Sequence, residues 1–188
     1  MYSVVTLTES ITDALKSKLN DITIRFKSSA ETDEYSESKP HVYAWTYDDL
    51  VDGMPLNTPS VLVQLISVKD DASADYTIHI CVCNPATQDK EITEPVQEYE
   101  NLYKYKTGDE INTSTVRTDL YRACVILAEQ VLVAVKQISN DFYSFHDVQM
   151  DTPSPYMEDF PFCQCSVNFT AKKSSVQSEI NTKVWDML

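Results

Sequence analysis

Residues Phe160–Lys172, FPFCQCSVNFTAK, decide the fold. Cys163, Cys165, Val167, Phe169 and Ala171 alternate with Gln164, Ser166, Asn168 and Thr170. A period of two sustained over that length predicts a β-strand with one face in the core and the other wet or covered by a neighbour. Tyr76–Cys83 carries the same signal: Tyr76, Ile78, Ile80 and Val82 share one face, Thr77, His79, Cys81 and Cys83 the other. Val61–Val68 is apolar on both faces, with Val61, Val63 and Leu65 on one and Leu62, Ile66 and Val68 on the other. That pattern predicts a central strand covered on two sides. Between them, Asp70-Asp71 with Ser73 and Asp75 reads as a turn. His41–Tyr47 and Tyr143–Met150 are further strand candidates, with a short one at Thr23–Phe26.

Two segments change the period. From about Ser10, Ile11, Leu15, Leu19 and Ile22 recur at spacings of four, four and three, one stripe of an amphipathic helix. Thr8 or Ser10 is its candidate cap. The longer helix is predicted over Ser114–Ser139. There Val116, Leu120, Cys124, Leu127, Val131, Val135 and Ile138 form a stripe, broadened by Tyr121, Val125, Ala128 and Leu132. A stripe that wide packs across a sheet. The order helix, strands, long helix, two strands predicts an α+β domain. Its sheet is mostly antiparallel, and the N-terminal helix and the long central helix pack on one face.

The chain of 188 residues suits a single domain, with its core at about 8–173, an acidic insertion at about 87–112 and a C-terminal tail at 174–188. A chain of that length buries a substantial core without disulfides or metal. Residues 27–40, KSSAETDEYSESKP, read as a mobile polar loop, residues 48–59 as a connection, and residues 151–159 as an acidic linker.

The formal net charge is −14. Residues 28–40, 87–112 and 147–160 hold −11 of it, so the acidity sits in the connections. Phosphate-contact binding of nucleic acid needs clustered Lys and Arg, and this balance excludes it. The same charge disfavours anionic membranes. No segment approaches the apolar length of a membrane span. The N-terminus has no basic segment followed by an apolar run, so a secretory signal is not expected. The five cysteines then read as reduced thiols.

Chemical motifs are few. Cys81-X-Cys83 and Cys163-X-Cys165 suggest a four-thiolate metal site. On an extended strand, however, residues i and i+2 lie about 6.7 Å apart, whereas tetrahedral zinc needs sulfurs within about 4 Å of one another. Alternation also puts Cys163 and Cys165 on the core face and Cys81 and Cys83 on the less apolar one. Buried free thiols, Cys124 included, are therefore expected, with no metal and no cofactor. His41, His79 and His146 belong to no catalytic pattern, and Walker, GxGxxG and GxSxG motifs are absent. With only Gly53 and Gly108 present, glycine-built phosphate loops are excluded. No catalytic residue is expected.

Taken together, these features resemble the tail terminator (tail completion) proteins of long-tailed bacteriophages. The likeness lies in the N-terminal amphipathic helix, the Pro-bounded strand beginning Pro59-Ser60-Val61-Leu62-Val63, and its hairpin partner Tyr76–Cys83. It continues through the long helix of the form Leu120, Leu127, Val131, Val135, and the closing strand Phe160-Pro161-Phe162-Cys163-Gln164-Cys165-Ser166-Val167 with a polar end. It covers about residues 8–173 as a pattern of order and spacing without an invariant signature. Residues 87–112 depart from the compact family pattern, and the C-terminal tail is a second candidate departure.

The resemblance implies a structural virion protein, assembled in the bacterial cytoplasm. It implies a homo-oligomeric, usually hexameric ring at the head-proximal end of the tail tube. Such a ring stops tube growth and joins the tail to the head–tail connector protein, while DNA passes through without specific binding. An acidic wall fits that passage, because negative surfaces do not hold DNA. Tyr99, Tyr103 and Tyr105 on the insertion and Trp185 in the tail are candidate interface residues, since aromatic side chains are enriched at protein contacts. The alternative is an insertion that buries its own tyrosines. Competing readings of the whole chain are another head–tail joining or tail tube protein, a small cytosolic adaptor domain, and a nuclease. A nuclease requires acids converging with a His or Lys in one pocket.

Overall fold

The computed structural model describes residues 4–27, 35–47, 50–51, 54–55, 57–70, 73–83, 92–95, 102–105, 110–138, 143–154 and 162–173. Helix α1 spans Val4–Leu19, and helix α2 spans Thr113–Gln137. The main sheet contains β3 (His41–Ala44), β6 (Ser60–Asp70), β7 (Ser73–Cys83), β11 (Tyr143–Asp151) and β12 (Phe162–Lys173). Its spatial order is β11-β12-β7-β6-β3. Every neighbouring pair is antiparallel except β3 with β6. This is the α+β architecture that the sequence predicts.

The parallel pair accounts for the long connection at residues 45–59. Parallel neighbours need the chain to return to its starting end, which takes a dozen or so residues. Trp45, at φ 70°, ends β3, and the connection contains the short ladder of β4 (Leu50–Val51) with β5 (Met54–Pro55). It re-enters the sheet through a cis Thr58–Pro59 peptide, with the His41 amide donating to the Pro59 carbonyl at 2.8 Å.

One core fills the space between the sheet and the two helices. From β6, β7 and β12 it takes Val61, Val63, Tyr76, Ile78, Ile80, Val82, Cys163, Val167 and Phe169. From the helices come Leu7, Ile11, Leu15 and Leu19 of α1, and Leu120, Cys124, Leu127, Val131 and Val135 of α2. Helix α2 packs on β12, β11 and β7, while α1 packs on β3 and β6 and touches α2. Tyr76 stacks on Phe169 with ring centroids 5.4 Å apart, and Phe145 meets Phe169 edge-on at 5.3 Å.

Several local expectations are corrected. Helix α1 begins at Val4 rather than near Ser10, so Thr8 and Ser10 are interior and not caps. β-Branched residues and threonines weaken the local helix signal there. Burial of Leu7 beneath the same stripe overrides it, and the buried Thr8 and Thr12 hydroxyls are satisfied by donating to the Val4 and Thr8 carbonyls, each at 2.8 Å. Ile22 lies beyond the helix end, its amide donating to the Leu19 carbonyl at 3.0 Å. The polar stretch 27–40 contains β2 (Tyr35–Ser38), which pairs with β1 (Ile24–Lys27), and Arg25 meets Glu37 across the ladder at 2.7 Å. Ser73 and Asp75, read as turn residues, belong to β7.

Strand β6 is covered on two sides only in part. Leu62 is buried, but Ile66 and Val68 are each 55% exposed. The register shifts between Leu65 and Ser67 and again between Val68 and Asp70, and each shift breaks the two-residue alternation that assigned those faces. The insertion at 87–112 contains β8 (Ile92–Pro95), β9 (Leu102–Tyr105) and β10 (Glu110–Asn112), an antiparallel sheet of order β10-β9-β8.

Candidate assembly surface

With both helices on one face, three surfaces of the main sheet layer carry no further helix or strand among the described residues: the opposite face, the edge at β11 and the edge at β3. The open face carries the outward residues of each strand, in cross-strand register: Gln64 with Thr77, Leu62 with His79, Thr77 with Asn168, and Asp75 with Thr170. These polar groups satisfy one another. Asp75 accepts from Thr170 at 2.7 Å and from Ser67 at 3.0 Å, and pairs with Lys69 at 2.8 Å. Asp151 accepts from Asn168 at 2.6 Å and from Ser166 at 3.1 Å, while Thr77 donates to Asn168 at 2.7 Å. The Lys69 ammonium, then the Thr170 hydroxyl, hold the Asp75 carboxyl below the usual carboxylate range.

Near residues 45–60 this face is covered. Tyr47 meets Tyr43 edge-on at 5.4 Å and lies beside Ser60 and Cys81, both buried. Burial raises the Tyr47 phenol to about 12, against the opposing hydrogen bond with Ser60.

The histidines stand as the strands place them. His79 shares a hydrogen bond of 2.8 Å with the Gln64 side-chain oxygen, and His146 one of 2.8 Å with the Ser144 hydroxyl. His41 is exposed at the β3 edge. Desolvation lowers the His79 pKa from its ordinary 6.5. A folded pKa below the unfolded one means that the unfolded chain binds the proton more tightly. Stability contributed by neutral His79 is therefore present above about pH 6.5 and lost as pH falls through the folded value. Urea unfolding between pH 8 and 5 (conditions about the ordinary histidine range) should show stability falling with pH, and His79→Gln should flatten that slope. An unchanged slope in the variant would show that other groups carry it.

The two Cys-X-Cys pairs face opposite sides of one sheet. Cys163 pairs in register with Val82, and Cys81 with Gln164, so adjacent strands present the four thiols to opposite layers. Four thiolates placed in this way cannot close around one ion. Among the described residues, no group of three or more His, Cys, Asp or Glu side chains is arranged to hold a metal ion. No helix of the described residues is long and apolar enough to cross a membrane.

Of the predicted interface residues, Tyr99 and Trp185 lie outside the described residues. Tyr103 and Tyr105 sit in β9, where Tyr103 is paired with Ile111 and Pro95, and Tyr105 with Ile92. Their backbones are thus placed in a common strand.

The structure adds candidates that the sequence reading passed over. Ile126 and Val133 on α2 are 43% and 46% exposed. Seven residues apart, they differ by only about 20° around the helix and so share its outer face. Their signal was present in the sequence, since both fall off the stripe of Leu120, Cys124, Leu127 and Val131. At Ile126 a groove of about 300 Å³ runs between β1 and α2, lined by Ile24 and Arg25 on one side and Asp119, Arg122 and Ile126 on the other.

Comparison with protein-family models, with curated proteins and with solved structures finds no match in any of the three.

Proposed function

We propose that this chain is a structural subunit of a long-tailed phage. In this reading it forms a ring at the head-proximal end of the tail tube, ends tube growth and offers a surface to the head–tail connector. The observation that carries the reading is the arrangement of elements: an N-terminal helix and a long central helix side by side on one face of a mostly antiparallel sheet. That is the layout the family resemblance implies. Three further features support it. Among the described residues, neither edge strand of the main sheet, β11 or β3, pairs with a further strand on its outer side, which leaves two ladders to meet a neighbour. Ile126 and Val133 offer apolar contact on the outer face of α2. The charge of −14 suits a passage that DNA crosses without being held. The open sheet face, whose acids are tied into cross-strand hydrogen bonds, favours a structural role over a nuclease.

The experiment is light scattering and negative-stain microscopy of the purified full chain, alone and mixed with a tail tube protein and with a connector protein. The expected result is a closed ring, or a cap seated on one end of the tube. A strict monomer that neither caps tubes nor binds the connector would overturn the proposal.

A further inference from the structure

Three of the five cysteines meet where α2 crosses β12. Cys124 is completely buried on the inner row of α2, and Cys163 and Cys165 share the inner face of β12 because they are two residues apart. The Cys124 and Cys165 sulfurs are 3.3 Å apart. The Cys124 sulfur also lies 3.5 Å from the Cys163 carbonyl oxygen, and the Cys165 sulfur 3.9 Å from the Cys124 carbonyl oxygen. Two sulfurs in contact from two different elements are placed to bond. A disulfide needs a separation of about 2.05 Å, so the approach required is a little over 1 Å, the scale of a side-chain rotation.

We propose that Cys124 and Cys165 form a reversible disulfide that fastens α2 to β12, with a peroxide as the oxidant. Cys165 is the entry point, because it is half-buried whereas Cys124 and Cys163 are fully buried. Its thiolate attacks one peroxide oxygen. A sulfur–oxygen bond forms, the oxygen–oxygen bond breaks, and the departing hydroxide takes up the thiol proton as water. The Cys124 sulfur then attacks the sulfenic sulfur of Cys165. The sulfur–sulfur bond forms, the sulfur–oxygen bond breaks, and the hydroxide leaves with the Cys124 proton as a second water. Two thiols lose two electrons in total, and one peroxide gains them.

Hydrogen bonding with Cys163 and Cys165, together with burial, holds the Cys124 thiol well above the usual thiol range. What pairs Cys124 with Cys165 is the 3.3 Å contact between their sulfurs. Cys81 and Cys83 are on the other side of the sheet and cannot join the exchange. The inference is independent of the proposed assembly role, since it rests only on the seam between helix and sheet.

The test treats the reduced full-length protein with hydrogen peroxide. The remaining thiols are then alkylated in denaturant and analysed by intact mass and peptide mapping. Expected are the loss of two of the five alkylatable thiols, a mass decrease of two hydrogen atoms, and a cross-linked peptide joining Cys124 to Cys165, all reversed by a reductant. Cys165→Ser, at the least buried of the three positions, should abolish the link. Any of four results would overturn the proposal: five thiols still alkylatable, a link through Cys81, Cys83 or Cys163, a link between two chains, or oxygen added to single thiols with no link. The peptide map of the unaltered protein decides the question even if the variant folds poorly.

Discussion

Val63→Asp should leave the chain unable to hold its fold, whereas Val68→Asp, on the same strand, should cost almost nothing. Val63 is completely buried in the middle of β6, paired with Ile78 of β7 and flanked by β3 on its other side. A carboxylate there has no cation or donor to meet. It must either stay charged in an apolar layer or pay to be neutralised, and an unpaired buried charge is among the few single changes that cost more than about 4 kcal/mol. Against a total stability of roughly 5–15 kcal/mol for a domain, that empties most of the margin. Val68 is 55% exposed, so Asp there keeps its water, and the expected change is within about 0.5 kcal/mol. Urea unfolding followed by circular dichroism makes the comparison. Equal effects at the two positions would show that β6 is covered on both faces to its end.

The second large effect is expected at Phe169. Its ring is 3% exposed and lies between Tyr76, stacked at 5.4 Å, and Phe145, edge-on at 5.3 Å. Phe169→Ala removes the whole ring from a site bounded by three strands, where neighbours can close the gap only in part. The loss combines transfer free energy with the cavity left behind, about 3–5 kcal/mol, and the two ring contacts fall within it. For a chain of this size that is a drop of roughly 10–15 °C in Tm, readable by calorimetry. A drop under about 3 °C would mean that the aromatic cluster is dispensable and that the core is carried by the aliphatic residues beneath α2. Phe169→Leu should recover much of the loss, because it restores most of the volume.

These two predictions mark how far local pattern reached. At Phe169 the alternation of β12 named the buried face without ambiguity, and the structure has Cys163, Val167, Phe169 and Ala171 inside. At Val68 the same rule failed, because the register shift between Leu65 and Ser67 broke the parity on which it depends and set Val68 opposite Ala74. The helix stripes behaved likewise. Leu120, Leu127, Val131 and Val135 of α2 face the sheet as their spacing required, while the start of α1 was read too late because Val4, Val5 and Thr6 are weak local helix formers. The length of the acidic segment 87–112 marks it as an insertion, but no periodicity there announces the three short strands that lie within it.

The proposed site was less legible than the fold. Aromatic character points to Tyr99, Tyr103, Tyr105 and Trp185 as contact residues, but residue type says what a side chain is good at and not where it stands. Ile126 and Val133 could have been found by asking which apolar residues of the long helix fall off its stripe. The open-face acids could not have been found that way. Asp75 and Asp151 acquire Thr170 and Asn168 as partners only through strand pairing, 95 and 17 residues away along the chain.

The stretch at Phe160–Lys172 shows where the division falls. By itself it determined that a strand would form there and which of its side chains would be apolar and inward, because a side chain's direction along an extended chain follows from a two-residue geometry that needs no partner. The same local logic determined the two helices and their buried rows. Only the tertiary structure decided that β12 lies between β11 and β7, that β3 joins the sheet in parallel, and that Cys165 meets Cys124 at 3.3 Å while Cys81 and Cys83 face away. Pairing and contact depend on which distant segments come to share a layer, and no periodicity within one segment carries that information.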